Sequence, residues 1–324
     1  MKPFESFLAP QLEEYLSYRE SLGYLIMPAR NYLRAFDRYL KKTRADWDTF
    51  QPAFFLEMRV KLRVESRSIN AIISAVRGFS QFLVRRGYLT HNPLNDIPPL
   101  KENTIVPFVF SPEQVDELLK TLCSTIRNTR KCFLTDLAIY LAVLLMARCG
   151  MRISETIKLL RIHYRRDDVT IYIERTKFGK DRLIPVQRDV AIQIENYLSV
   201  RKTLRPHDDN PYLLAGRKNH HLCDSTLRYV FHNAVKKIGL HQPRRIVGDV
   251  NLNPPTPHSL RHSFAVNTLN SVRDRELSSQ NALPILAAYL GHRDYKCTSV
   301  YLRVSDAIGR KDLVDFSLWQ KRKE

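Results

Sequence analysis

Five prolines fall between His91 and Pro112, at Pro93, Pro98, Pro99, Pro107 and Pro112, and they forbid a continuous helix or a central strand across that segment. An ordinary loop inside one domain is the plain alternative, yet the regions on either side can each bury a core of their own, and two domains are expected. From Phe4 to about Tyr88 apolar residues recur three and four apart, as in Phe7-Leu8, Leu12, Tyr15-Leu16 and again in Tyr32-Leu33, Phe36, Tyr39-Leu40, which is the period of amphipathic helices. A third helix is expected over 54–62. A fourth runs from an N-cap at Ser68 through Ile69, Ile72, Ile73, Val76, Phe79 and Phe82 to Arg86, and Gly87 stops it. The expected division is a helical domain over 1–90, a linker over 91–110 and a larger domain over 111–324.

The larger region opens with a helix capped by Ser111, with Pro112 at its first position. A strongly apolar helix follows over 134–146. Residues 169–173 and 182–186 read as two strands around Thr176-Lys177-Phe178-Gly179-Lys180, where Gly179 can supply the positive φ of a turn. Helices then return. The fold class is mostly α, a helical N-terminal domain followed by an α-rich domain with a small β-sheet or hairpin. No internal repeat or Gly-rich phosphate loop interrupts it.

Lys and Arg number 52 against 33 Asp and Glu, a formal charge of +19 over 324 residues, so a polyanion is the expected partner. Charge alone would also fit a ribosomal or membrane-surface protein. With 44% hydrophobic residues on periodic segments, a disordered cationic tail is excluded. No stretch reaches the roughly 20 apolar residues of a membrane span, and the first residues lack an apolar signal core, so a cytoplasmic protein with no membrane partner is expected. The cysteines, Cys123, Cys132, Cys149, Cys223 and Cys297, are odd in number and form no C-x-x-C pair, which reads as reduced and mostly buried thiols.

Against this background one set of residues carries chemistry: Arg152, Lys177, His258, Arg261, His292 and Tyr301. A phenol with an ordinary pKa near 10 becomes a competent nucleophile beside several cations. Arg152 and Arg261 offer planar forks that hydrogen-bond two phosphate oxygens at once, which a lysine cannot reproduce. Glu155, one turn beyond Arg152, can orient its guanidinium, although an exposed i,i+3 ion pair is the plain alternative. Thr256 and Pro257 would start a helix that places His258 in the first turn and His258 and Arg261 on one face. Gly291 would stop a helix just before His292, and Thr298 could cap a short helix carrying Tyr301; Tyr289 and Tyr295 are its rivals. His258 and His262 also have the i,i+4 spacing of two zinc ligands. Ser259 stands where a metalloprotease motif needs glutamate, however, and no cysteine pair completes a site, so no metal or other cofactor is expected.

The boxes Gly150-Met-Arg152-Ile-Ser-Glu155, Thr176-Lys177-Phe-Gly-Lys180, His258-Ser-Leu-Arg261-His262 and Leu290-Gly291-His292, with Tyr301-Leu302 nine residues on, resemble those of the tyrosine recombinases, the phage-integrase and Xer family. The resemblance implies a helical, SAM-like core-binding domain joined to a catalytic domain, the two closing on a DNA duplex. It implies a 3′-phosphotyrosyl link at Tyr301, a proton-transfer role for His258, a phosphate hydrogen bond from His292, a proton for the departing 5′ oxygen from Lys177, which the family's hairpin favours over its competitor Lys180, and a supporting role for Glu155. Four protomers on two double-stranded sites would exchange strands through a Holliday junction, with neither ATP nor Mg²⁺. Arg67, Arg77, Arg85 and Arg86 make the fourth helix basic and are the expected DNA contacts. The interval between Arg261 and His292 is longer than in compact Xer-like members, and its polar stretch 273–281 is placed as a surface insertion that tilts the reading toward a mobile element. A type IB topoisomerase shares the tyrosine chemistry, and an inactive DNA-binding regulator would keep the charge while losing the catalytic set.

Overall fold

The structure is a computed structural model that describes residues 2–174, 181–216, 219–292, 298–299 and 301–302. The chain divides into two compact units, Met1–Thr104 and Ile105–Glu324.

The first unit is built from α1 (Ala9–Ser21), α2 (Ile26–Thr43), α3 (Pro52–Lys61) and α4 (Ser66–Arg85). The residues that set the helical period bury one another: Leu12 and Leu16, Leu33 and Phe36, Phe55 and Met58, and Val76, Phe79 and Leu83 share one core. α4 begins two residues before the expected cap. The carbonyl of Glu65, whose backbone is extended, already accepts the N–H groups of Ser68 and Ile69, so Glu65 is the N-cap and Ser68 lies inside the first turn. Asp37 is buried, and its carboxylate accepts the backbone N–H of Ser6 at 2.9 Å and of Glu5 at 3.0 Å, which ties the leading segment to α2.

The proline-bearing stretch is held by this unit in part. Arg77 donates from Nε to the carbonyl of Leu94 at 3.0 Å and from Nη2 to that of Ile97 at 2.7 Å, and Asn92 donates back to the Arg77 carbonyl at 3.0 Å. Leu94 and Ile97 are buried in the same core. The guanidinium of Arg77, expected at a DNA surface, is thus committed to pinning the backbone carbonyls of Leu94 and Ile97.

β1 (Thr104–Val106) begins at the boundary, and the second unit continues with α5 (Pro112–Ser124), which Ser111 caps through a reciprocal pair with Gln114. α6 (Phe133–Arg148) is apolar all round, and every residue from Leu141 to Ala147 is buried, so neighbouring helices cover it on several sides. After α7 (Ile153–Ile157) come β2 (Tyr164–Arg165), β3 (Thr170–Ile173) and β4 (Arg182–Pro185), an antiparallel sheet in which Ile171 faces Ile184 and Ile173 faces Arg182. α8 (Arg188–Leu204), α9 (Asp224–Lys237) and a hairpin of β5 (Arg245–Val247) and β6 (Val250–Leu252) follow, with β1 pairing to β6. α10 (Pro257–Asp274) packs on α6 and α11 (Ser279–Leu290). Stretch 273–281 lies at the surface over most of its length, as expected. It supplies the end of α10 and the start of α11, and only four exposed residues, 275–278, join the two helices. Of the described cysteines only Cys149 is buried; Cys123 and Cys223 are exposed, against expectation.

Gly150 ends α6 with φ +59°, and a Cβ built there would lie 2.6 Å from the Phe264 ring of α10 and 3.1 Å from Leu290 of α11. Gly150→Ala therefore meets both left-handed strain and overpacking, and is expected to cost about 2 kcal/mol or more. A lowered urea midpoint checks this, and adding Phe264→Leu should recover part of the loss.

Candidate active site

The turn at Gly150 delivers Arg152, which is the extended N-cap of α7. Its backbone N–H donates to Glu155 Oε2 at 2.9 Å and its Nη1 to Glu155 Oε1 at 2.6 Å. The pair is not the exposed one that sequence spacing allows, since the Glu155 side chain is only 6% exposed. Arg182 of β4 reaches the same carboxylate, from Nη1 at 3.1 Å and Nη2 at 2.8 Å. Burial alone would push the Glu155 carboxyl up, but the Arg182 hydrogen bonds and charge, with those of Arg152, hold it down to about 2. One buried carboxylate thus aims two guanidinium groups. Arg182 also lies against the turn at Gly291, where an added Cβ would stand 3.0 Å from its Nη1.

Arg182 is a functional candidate that motif matching missed. A signal was present: Arg182 alternates with Ile184 along a short strand, so it shares the inward face with a fully buried isoleucine. An arginine on that face needs an anionic partner.

α10 carries the next box. The N–H of Thr256 donates to Ser259 Oγ at 3.0 Å, and Pro257 fills the first helical position, as expected. His258 is exposed in the first turn, while Arg261 is 1% exposed. Arg261 donates from Nη1 to the carbonyl of Gly150 at 2.8 Å and from Nη2 to that of Leu290. Those carbonyls lie two residues before Arg152 and two residues before His292. The fork expected to face a phosphate is therefore partly engaged within the protein, with further N–H donors remaining. Burial, then the charge of Arg152, lowers its pKa to about 10, which leaves it a cation at neutral pH. Arg152, by contrast, opens onto a groove of about 760 Å³ that Ser154, Lys158 and His163 also line.

α11 ends at Gly291 in the left-handed conformation, and His292 N–H bonds back to Ala287 at 3.0 Å. The His292 ring stacks on Tyr301 with centroids 6.1 Å apart, and its Nδ1 is 2.7 Å from Thr298 Oγ1. Thr298 is itself helical and buried, so its hydroxyl orients His292 where a helix cap was expected. Tyr301 is 4% exposed and lies in an apolar cluster with Ala265, Val266, Leu269, Leu286 and Leu290. Its hydroxyl is 3.2 Å from Nδ1 of His262. Burial, then the charges of His258, Arg261 and His292, holds His262 down to about 3, and burial, then Arg261, Arg152, Arg182 and His258, holds His292 down to about 4. Both imidazoles are neutral at pH 7.

The structure therefore brings Arg152, Glu155, Arg261, His292 and Tyr301 into one network and adds Arg182 and His262. Lys177 and Tyr295 lie outside the described residues. Tyr289 stacks on Phe264 with centroids 5.4 Å apart, and burial raises its phenol pKa, which makes it a poor rival for the nucleophile. In the first unit Arg67 and Arg85 are exposed, and Arg86 pairs with Glu14 at 2.8 Å. Among the described residues no group of three or more His, Cys, Asp or Glu could hold a metal ion, so His258 and His262 gain no further ligand of that kind. No helix among them is long and apolar enough to cross a membrane.

Comparison with known proteins leads to the same chemistry. The model of the phage integrase family matches residues 109–307, and that of the phage integrase N-terminal SAM-like domain matches residues 29–87. The tyrosine recombinase XerA of Pyrococcus furiosus is 27% identical over 317 residues, 94% of each chain. The tyrosine recombinase XerD of Brucella abortus is 28% identical over 235 residues, 72% of this chain and 70% of that one. In fold the chain is similar to a lambda integrase (75–356) dimer bound to a COC′ core site, with TM-score 0.64 at 18% identity over 89% of this chain and 96% of that one. It is also similar to the Tn1549 transposon integrase in complex with circular intermediate DNA, with TM-score 0.65 at 17% identity over 92% and 95%. The chain belongs to the phage integrase family of tyrosine recombinases, enzymes that break and rejoin DNA strands at specific sites.

Proposed function

We propose that Tyr301 attacks the scissile phosphate of a double-stranded recombination site and retains it as a 3′-phosphotyrosine while the 5′ oxygen departs as a hydroxyl. The observation that supports this reading is the meeting of four separate sequence segments: Arg261 bonds the turns that carry Arg152 and His292, and Tyr301 lies against His292 and His262. Arg152 and the remaining donors of Arg261 offset the charge that develops on the phosphorane, and the neutral His292 donates from Nε2 to a phosphate oxygen, since its Nδ1 faces Thr298. His258 transfers a proton near the tyrosine, and Lys177 protonates the leaving oxygen. Glu155 and Arg182 position Arg152. The ester conserves the phosphodiester bond, so a free 5′ hydroxyl of a partner strand reverses the step without ATP.

In this reading residues 1–90 bind DNA through Arg67, Arg85 and Arg86, while Arg77 serves the fold. Residues 91–110 link that domain to the catalytic domain over 111–324. Four protomers exchange strands on two sites, in the cytoplasm, on behalf of a mobile element. The lambda integrase tetramer bound to a Holliday junction and the transposon integrase among the structural neighbours support that assembly and setting. Recombination of a two-site substrate separates this reading from strand relaxation by a topoisomerase, and a covalent adduct separates it from a regulator without catalysis.

Tyr301→Phe is expected to remove the covalent protein–DNA band on denaturing gels while changing DNA affinity by no more than about twofold, because one hydroxyl is deleted and the cations stay. A persisting band would move the nucleophile elsewhere. Lys177→Ala should slow cleavage about 10²- to 10⁴-fold and recover when sulfur replaces the leaving oxygen, since a thiolate departs without a proton. Equal impairment on both substrates would reassign the acid. Glu155→Gln and Arg182→Met should each lower single-turnover cleavage about 10²-fold through misplacement of Arg152. The double variant should be no slower than the slower single one, because both act through one carboxylate; additive losses would separate their roles.

A further inference from the structure

The hydroxyl of Tyr301 meets α10 at His262, a residue that the proposed mechanism does not use. Three features of the surroundings bear on what that contact does. The tyrosine ring lies in a cluster with Ala265, Val266 and Leu269, the next turns of the same helix, so the helix holds the ring along its apolar side and the hydroxyl at its polar end. His262 is half-buried between the edge of His258, with centroids 4.5 Å apart, and the ring of Tyr301 at 5.6 Å. The groups that face it are His258 and Arg261 from its own helix and His292 and Tyr301 from outside it, a set that disfavours a further cation beside Arg261.

A phenol oxygen has one proton and a lone-pair face, and an in-line attack requires that face to look at phosphorus. Burying the ring fixes where the oxygen is. It leaves the O–H a choice between the two in-plane directions of a phenol. We infer that Nδ1 of His262 accepts the Tyr301 hydroxyl as a hydrogen bond, fixing the direction of the O–H and turning the oxygen's lone pairs toward the scissile phosphate, so that His262 is a positioning residue for the nucleophile.

This inference rests on Tyr301 being the nucleophile. It assigns His262 no net proton transfer: the O–H rests on Nδ1 before attack, and as the new O–P bond forms and the bond to the 5′ oxygen breaks, that proton passes on to His258, whose ring centroid lies 4.5 Å from that of His262, while Lys177 protonates the departing oxygen. Because burial and then His258, Arg261 and His292 hold the imidazole down to about 3, it stays neutral between pH 5 and 9 and adds no limb of its own to the rate profile.

The atom in contact is Nδ1, and this makes the test specific. Asparagine places its carboxamide oxygen near the Nδ1 position of a histidine, glutamine near the Nε2 position, and leucine fills the space without accepting a bond. In the full-length protein, His262→Asn is expected to keep single-turnover cleavage within about threefold of the parent. His262→Gln and His262→Leu should fall about 10- to 100-fold with KM for DNA unchanged, since a small misdirection of a reacting atom has that effect. The losses should persist on the substrate with a sulfur leaving group, because nucleophile placement is independent of leaving-group protonation. DNA binding at parental affinity reports that each variant is folded; a leucine variant that fails to bind is replaced in the comparison by the Asn and Gln pair, whose order alone decides. Parental cleavage by His262→Leu, or cleavage by His262→Gln equal to or faster than that of His262→Asn, would overturn the inference. If Tyr301→Phe still forms the adduct, the underlying reading of the nucleophile fails instead, and the two failures are thereby distinct.

Discussion

A buried guanidinium that donates to two backbone carbonyls holds this catalytic unit in register. Arg261 sits almost wholly inside the protein, bonding the Gly150 carbonyl on one side and the Leu290 carbonyl on the other. Hydrogen bonds from a charged donor to carbonyls are among the stronger ones a protein can make, and leaving those carbonyls unpaired would add its own penalty. The Leu290 carbonyl is the last of α11 and the Gly150 carbonyl lies in the turn just past α6, so one side chain fixes the turns that carry Arg152 and His292. The geometry of the chemistry and the integrity of the fold meet at the same residue.

Around Arg261 the charges are unbalanced by design of the site. Arg152, Arg182 and Arg261 surround one carboxylate, Glu155, and burial with these neighbours keeps two histidines from taking a proton. The surplus is what an arriving phosphate would offset. A preorganised cluster of this kind requires little rearrangement when charge develops, which is why such arrangements contribute so much to catalysis.

Much of this was legible in the sequence, and the parts that were not have physical reasons. The helical period located the cores of both units, and Ser111-Pro112 and Thr256-Pro257 marked helix starts because a capping oxygen and a missing N–H both suit a first turn. Ser68 misled because Glu65, a residue with no capping tendency, has the extended backbone that begins α4. Arg152, Arg261, His292 and Tyr301 were visible through spacing, but Arg182 and His262 were not, since each acts through a partner distant in sequence. Arg77 shows the converse. Its place on a basic helix suggested a solvent-facing role, whereas a side chain long enough to reach a neighbouring loop can serve that loop's carbonyls, and sequence carries no record of which carbonyls lie within reach.

The crowding of cations has an evolutionary side as well. Arg152 and Arg182 both repel Arg261 in the free protein, and among the described residues Glu155 is the carboxylate that Arg152 and Arg182 share. A lineage released from the need to rejoin DNA would lose Arg152 more readily than Arg261, because Arg182 still pairs with Glu155 when Arg152 is gone, whereas loss of Arg261 leaves two buried carbonyls unpaired. Decay of this protein into a silent DNA-binding remnant would therefore begin at Arg152 and spare Arg261, so the pattern of arginine loss among degenerate copies would record which of the two cations the fold itself requires.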